Sequence, residues 1–571
     1  MRKKYTGKFN VEKNMLKIIL RLFSPHKKKI ALIIFTMLLT SLMSVFNPLI
    51  RQILVDDGIL KKDMTVVSAA ILIILIILSL QTIFEYIQMI NCTHISQMIP
   101  FRLYERSFEK LLKLKMFYFE NESYYKIIEN LKFDITSIST VADQNTLFAI
   151  SQTLNIVGGL IGLTILSWKL SILVLIVIPL KLFITNYFIK QKSNSYNTLM
   201  IIIEKSNDWL GDILSNIEVV KLWNLHRIVN KEFIEYQQNI INSKKKNIYM
   251  DKINSISSNL VDIFVNIAIY FFGAILIINN EITLGGFFSF LTYTSYVLGS
   301  ISLLNFIKYR TAEIKPAYLR YSKFLELDEE DFDNKKLISN ITSPSIIQFK
   351  NVSFFRGDKK VINNISFEMR KGEKFALWGE NGSGKTSLIN LLLRFYAPDI
   401  GEILIDNINI EDIEIVSYRE NISVITQNTK LFNQSIYENI DPHKIYSREE
   451  IIEAFKQWGM SNLIISLENR LDTKLGSNGS KLSGGERQKI AAIRAYFKKS
   501  NILILDEATS NYDEESTKVF NEIIKIQKKY GFLIVVTHER EILKQMDKIV
   551  IMSNGTIDKI ITYSEFCKIN P

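Results

Sequence analysis

Residues 69–80 read AAILIILIILSL, an apolar run without a single charge. A soluble helix needs only about three or four apolar residues per two turns, on one face, so this run has too much apolar surface for ordinary packing. It belongs to one of six mainly apolar stretches: 30–49, 66–90, 147–166, 170–189, 254–278 and 282–307. About twenty residues is what an α-helix needs to cross ~30 Å of hydrocarbon at ~1.5 Å per residue. After residue 320 such runs stop. The 571-residue chain therefore reads as a multi-domain membrane protein, an N-terminal all-α domain of six transmembrane helices followed by a soluble domain.

The predicted organisation is an N-terminal segment 1–29, a transmembrane domain 30–324, a linker 325–345 and a second domain 346–571. The linker, LELDEEDFDNKKLISNITSP, is highly charged and ends in proline. Arg2, Lys3, Lys4, Lys8, Lys13, Lys17, Arg21 and Lys27, Lys28 and Lys29 precede the first span against Glu12 alone. The positive-inside rule places that end in the cytoplasm, and six crossings return the chain there, so both termini are expected inside a cell membrane. The net charge of +12 clusters beside the spans, where anionic lipid headgroups are the simpler partner, which argues against nucleic-acid binding. No small-residue cleavage site follows the first apolar run, so it does not read as a signal peptide. Cys92 and Cys567 fit neither a metal-ligand pattern nor a disulfide framework.

In the second domain, 346–349, 353–355 and 365–370 alternate like strands, and 375–378 and 502–505 are continuous apolar runs suited to strands buried on both faces. This predicts an α/β P-loop nucleotide-binding fold. Gly379, Glu380, Asn381, Gly382, Ser383, Gly384, Lys385 and Thr386 read GENGSGKT, between the strand 375–378 and an apolar helix opening at Ser387. Small residues let backbone N–H groups curl round a phosphate, and the helix N-terminus adds positive potential. Lys385 is placed to reach the β- and γ-phosphates of a nucleotide and Thr386 to offer a hydroxyl to Mg²⁺. The strand 502–505 ends in Asp506 and Glu507, which suit an Mg²⁺ water shell and the orientation or deprotonation of an attacking water. Ser483, Gly484 and Gly485, in KLSGGER, open a further helix, 486–496, and present a second anion-binding N-terminus.

GENGSGKT, the pair Thr426 and Gln427, LSGGE, ILILDEATS and the pair Thr537 and His538, in that order, resemble the nucleotide-binding domain of an ATP-binding cassette (ABC) transporter. The six spans with long inner links resemble the exporter class, in its half-transporter form. That resemblance implies that LSGGE of one copy closes over ATP held by the P-loop of another, and hence a homodimer. It places Gln427 near Mg²⁺ and the attacking water, His538 at the γ-phosphate, and Asp513 in the loop crossing the dimer seam. Where these exporters offer an aromatic ring to adenine the chain reads NVSFFR, so either Arg356, by guanidinium stacking, or Phe355 takes that place. Ser477 stands where many exporters carry a glutamate, and SNYD replaces the common SALD. Stretches 117–132 and 211–225 are similar to the two coupling helices.

ATP would then glue two cassettes together and hydrolysis would release them, driving export of a substrate. Gln152, Asn155, Lys181, Asn186, Asp262, Asn266, Tyr293 and Tyr296 are candidates for the substrate route, because polar groups in lipid are costly, and Lys181 is placed to pair with Asp262. The spacing of Gly158 and Gly162 suits packing more than a dimer face. The P-loop variant ENG, Ser477 and the lack of an N-terminal peptidase domain look like exporters of lantibiotics, so a modified peptide is the expected cargo; leader removal would then fall to another protein. Multidrug or lipid export is the alternative. A non-transporting ATP sensor or channel, or an importer, fits the intact Glu507 and His538 and the fused layout less well.

Overall fold

The computed structural model describes residues 23–121, 124–332, 338, 343–427, 429–507, 524 and 531–569. All six predicted spans lie in helices, α1 (Lys27–Ile53), α2 (Met64–Lys113), α5 (Gln144–Leu166), α6 (Trp168–Ser215), α8 (His226–Ile278) and α9 (Leu284–Leu325). Several are much longer than a membrane needs. At ~1.5 Å per residue the 50 residues of α2 and 53 of α8 span about 75–80 Å, more than twice the hydrocarbon thickness. The expected inner links are therefore mostly helix, and short helices turn the chain round at their far ends: α3 (Met116–Asn121), followed by α4 (Tyr124–Ser139), and α7 (Ile217–Leu222). Four segments, 24–59, 64–113, 168–188 and 226–278, are long and apolar enough to cross a membrane by themselves, and Gln152–Leu166 is a shorter apolar helix. In α2 the apolar side chains Leu72, Leu75 and Ile76 point outward rather than into a core, as lipid-facing positions do.

Small residues set how closely the spans approach. A Cβ on Gly158 would lie 2.2 Å from Val45 Cγ2 of α1, and on Gly159 2.7 Å from Val297 Cγ2 of α9. Gly162 faces the Tyr293 ring just as closely, so the glycine face of α5 is filled by α1 and α9 of the same chain and serves packing.

The chain divides into two compact units, one holding residues up to 112 with 119–327, the other 113–118 with 328 onward. The second unit thus takes in six residues from the end of α2 and the start of α3. Leu114 pairs antiparallel with Glu329, and the Glu330 amide donates to the Lys113 carbonyl at 2.7 Å. Glu330 in turn takes a bidentate ion pair from Arg419, both bonds 2.7 Å. Part of the stretch predicted as linker is therefore structured.

That unit carries two sheets. One runs β2-β1-β4-β5, with β1 (Ile346–Arg356), β2 (Lys359–Arg370), β4 (Ile400–Ile405) and β5 (Ile408–Asn409). The two short strands predicted at 346–349 and 353–355 form the single strand β1, because bulges on either side of Val352 let it continue with an altered register. The other sheet runs β10-β9-β3-β8-β7-β6: β3 (Lys374–Trp378), β6 (Ile422–Thr426), β7 (Ile502–Asp506), β8 (Phe532–Val536), β9 (Lys548–Ser553) and β10 (Thr556–Ile561). Its strands β3, β8, β7 and β6 are mutually parallel, and β8 is buried along its length, which explains the unbroken apolar run FLIVV.

Candidate functional site: the phosphate loop and the strand ends beside it

In an open parallel sheet, ligands bind beyond the carboxyl ends of the strands. Here β3, β8, β7 and β6 are adjacent, so the segments that follow them are neighbours although scattered along the chain. Residues 379–386 follow β3, His538 follows β8 after Thr537, Asp506 ends β7 with Glu507 next after it, and Gln427 follows β6. Asp506 stands in register with Val536 on one side and Thr426 on the other. The Gln427 amide donates to the Asp506 carbonyl at 2.9 Å, and the Glu507 amide to the Val536 carbonyl at 3.0 Å. His538 Nε2 lies 3.2 Å from Glu507 Oε1. Glu507 adopts φ +48°, a conformation uncommon outside glycine that turns its side chain out of the strand alternation.

The loop before helix α10 (Lys385–Leu392) has left-handed backbone at Gly382 (φ +85°) and Gly384 (φ +103°). A Cβ on Gly379 would sit 2.2 Å from the Met552 carbonyl oxygen. The helix begins two residues earlier than Ser387, so Lys385, Thr386 and Ser387 supply its first turn, whose amides have no intrahelical acceptor. Lys385 Nζ donates to the carbonyls of Gly379 and Glu380, at 2.7 and 2.9 Å. Burial holds its ammonium below the usual lysine range, against the pull of Glu507 and Asp506. Burial, then the neighbouring Glu507, pushes the Asp506 carboxyl up, with Lys385 opposing. Ser383 is buried and its hydroxyl lacks a partner among the described residues. A polar atom left so is costly. An anion in the loop, with a divalent cation beside Asp506, suits this donor set and these two carboxylates.

Ser483 is the N-cap of helix α11 (Gly484–Lys498), predicted two residues shorter at each end. Its hydroxyl accepts from the Glu486 amide at 3.3 Å while its own amide donates to Glu486 Oε2 at 2.7 Å, a capping box. A Cβ at Gly485 would meet nothing within 4 Å, so the space over this helix end is open. Among the described residues, 379–387 make no hydrogen bond to 483–485. Asp513 lies outside the described residues.

Phe355 and Arg356 both line a cavity of 710 Å³ with Phe117, Phe332, Phe395 and Tyr396, so position alone does not separate them as adenine neighbours. Lys360 Nζ sits 5.7 Å over the Phe355 ring. The contribution of Phe117 and Phe332 was invisible in the sequence, since they lie far from 355 along the chain; so was the Glu330–Arg419 pair. Within the stretch 211–225, Leu222 and Trp223 at the end of α7 are 79% and 75% exposed.

In the first unit, Lys181 Nζ meets Asp262 Oδ1 at 2.6 Å and donates to the Leu298 carbonyl at 3.2 Å, joining α6, α8 and α9. Gln152, Asn155 and Ser44 form a hydrogen-bonded set between α5 and α1. Tyr293 is fully buried and its hydroxyl donates to the Val45 carbonyl, so this candidate for the substrate route is a packing residue; Asn186 is exposed, and Asn266 and Tyr296 are half-buried.

A P-loop with carboxylates and a histidine at the neighbouring strand ends, fused to a helical membrane domain, defines a membrane-bound ATPase. Residues 362–510 match the ABC transporter family and residues 30–301 the ABC transporter transmembrane region. The chain belongs to the ABC transporters, as an exporter with fused transmembrane and ATP-binding domains. It is 28% identical over 553 residues to an ATP-dependent lipid A-core flippase of Syntrophus aciditrophicus, covering 96% of this chain and 91% of the relative. It is 26% identical to an uncharacterized ABC transporter ATP-binding protein of Bacillus subtilis, covering 95% of each. It shares the fold of a bacterial Atm1-family ABC exporter solved with ATP bound, with TM-score 0.83 at 21% identity, covering 95% and 96% of the two chains. It is thus a multi-pass plasma membrane protein and an ATP-driven translocase.

Proposed function

We propose that two copies of this chain form a homodimeric exporter, both termini inside, that uses ATP to move a lipid-class amphiphile out of the inner leaflet. The cargo reading rests on the flippase relative, which matches over nearly its whole length. The lantibiotic expectation has no counterpart in the relatives named above, and the lipid alternative takes its place.

Within each copy, amides of 382–387 and Lys385 bind the phosphates, and the orphan Ser383 hydroxyl gains a partner. Phe355 or Arg356 stacks on adenine. Mg²⁺, held by Thr386, Asp506 and Gln427, would neutralise charge on the β- and γ-phosphates. Glu507 accepts the proton of the attacking water, and His538, 3.2 Å from it, orients that carboxylate and faces the γ-phosphate. Ser483, Gly484 and Gly485 of the second copy close the site, with Asp513 at the seam; the open space over Gly485 leaves room for that approach.

The side-by-side ends of β3, β8, β7 and β6 carry the ATPase half of this reading. To test the cargo, the protein is reconstituted in liposomes containing a fluorescent phospholipid, and dithionite reports its sidedness. ATP-dependent lipid movement with stimulated hydrolysis is expected; movement of a modified peptide without any lipid movement would overturn the reading.

A further inference from the structure

α1 does not end in a regular helical turn. It passes into a π-helical stretch, Leu54–Ile59, before the chain reverses toward α2, and such widened turns are frequent at functional sites. Beside it opens a cleft of 580 Å³, between α1, α2 and α9, lined by Leu54, Val55, Ile74, Phe288 and Leu291. Its charged wall is Arg51, with the hydroxyl residues Thr292 and Ser295 opposite on α9.

Arg51 lies nine residues before Leu60, about 13 Å along the helix from the chain reversal, at the level of the outer leaflet in the orientation proposed above. An arginine near a helix end in lipid ordinarily extends toward the nearer surface. Arg51 does not, because its Nε donates to Oδ1 of buried Asn47, one turn deeper, at 3.3 Å. The guanidinium is held back toward the apolar interior.

The nearby carboxylates are committed elsewhere. Asp56 accepts from the Thr283 hydroxyl at 2.6 Å and the Gly285 amide at 2.8 Å, fixing the start of α9. Asp57 pairs with Lys61 at 2.8 Å, and Glu281 with Lys169 at 2.6 Å. Among the described residues no carboxylate pairs with Arg51. A cation lining an otherwise apolar cleft, with the hydroxyls of Thr292 and Ser295 already donating to the Phe288 and Leu291 carbonyls of their own helix, calls for an anion that brings its own hydrocarbon.

We propose that this cleft binds the phosphate headgroup of an anionic lipid, with Arg51 as the phosphate ligand and the acyl chains lying along Ile74, Phe288 and Leu291. A guanidinium offers paired N–H groups matched to phosphate oxygens, which a lysine ammonium does not. As an outer-leaflet station, the cleft rests on the lipid-cargo reading; as a lipid site, it stands without it.

The test titrates the detergent-purified full-length dimer with short-chain phosphatidylglycerol or with phosphatidylcholine of the same chains, read by native mass spectrometry. Wild type is expected to prefer phosphatidylglycerol about tenfold, ~1.4 kcal/mol. Arg51→Gln should abolish the preference and Arg51→Lys keep part of it. Ile74→Trp, which fills the cleft without touching charge, should weaken both lipids. Equal binding of the two lipids by wild type, or an undiminished preference in Arg51→Gln, overturns the site; the first readout needs no variant to fold. Lipid movement in the liposome assay is scored separately. Headgroup preference that depends on Arg51 supports the site even where no lipid moves, and the lost movement then counts against the cargo reading alone.

Discussion

Lys181 places a full charge among apolar helices, with its side chain 0% exposed and that of Asp262 26%. Two charges taken out of water gain little net stability from each other, but removing one leaves the other stranded. Lys181→Met should therefore destabilise the membrane unit by about 3 kcal/mol, and Lys181→Met with Asp262→Leu should recover most of it; thermal melts in detergent compare the three proteins. If the single variant melts like wild type, the pair does not hold α6 to α8. At the other site, Glu507→Gln keeps the shape of the residue and its left-handed backbone but removes its basicity. Hydrolysis should fall by at least ~100-fold with ATP binding unchanged, measured by phosphate release and by retention of labelled nucleotide.

Among the elements, α4 is tied to α9 by Arg320, whose Nε donates to Asp134 at 3.0 Å. Burial pushes the Asp134 carboxyl up to about 6, against the pull of Arg320; its side chain is only 6% exposed. An unfolded aspartate titrates near ~3.9, so the folded state binds the proton more tightly. The resulting stabilisation is complete below about pH 4 and is lost as pH rises through about 6. Relative to Asp134→Asn, wild type should thus lose up to about 3 kcal/mol between pH 4 and pH 7, read as the difference in melting curves of the two proteins. A constant difference across that range would show that Arg320 outweighs burial. The same scale explains the longest helices: α2 and α8 continue past their apolar windows because polar helix extends them into water, where the short α3 and α7 reverse the chain.

At the scale of the whole molecule, each ATP is proposed to need a P-loop from one copy and Ser483 from the other. Ser483→Arg and Lys385→Met should each hydrolyse ATP at about 1% of wild type or less, by loss of one wall of the site. Heterodimers purified through two tags, one variant in each copy, contain one intact pairing and should recover about half the rate. Absence of recovery, or full activity of Ser483→Arg alone, would refute the shared site.

The apolar runs by themselves determined a helical membrane domain, since their length and hydrophobicity leave a water-soluble packing no way to satisfy them. GENGSGKT and LSGGE likewise announced a phosphate cradle and a second helix N-terminus, because those backbone shapes demand small residues at fixed spacing. Tertiary structure alone decided what meets across long separations. The order β3-β8-β7-β6 brought His538 to Glu507, helix packing turned Tyr293 from a candidate route residue into core, and the pairing of Leu114 with Glu329 carried six residues of the first half into the second unit. Local sequence fixes periodicity and backbone freedom, which act over a few residues; partners separated by more than a hundred are chosen only when the whole chain packs.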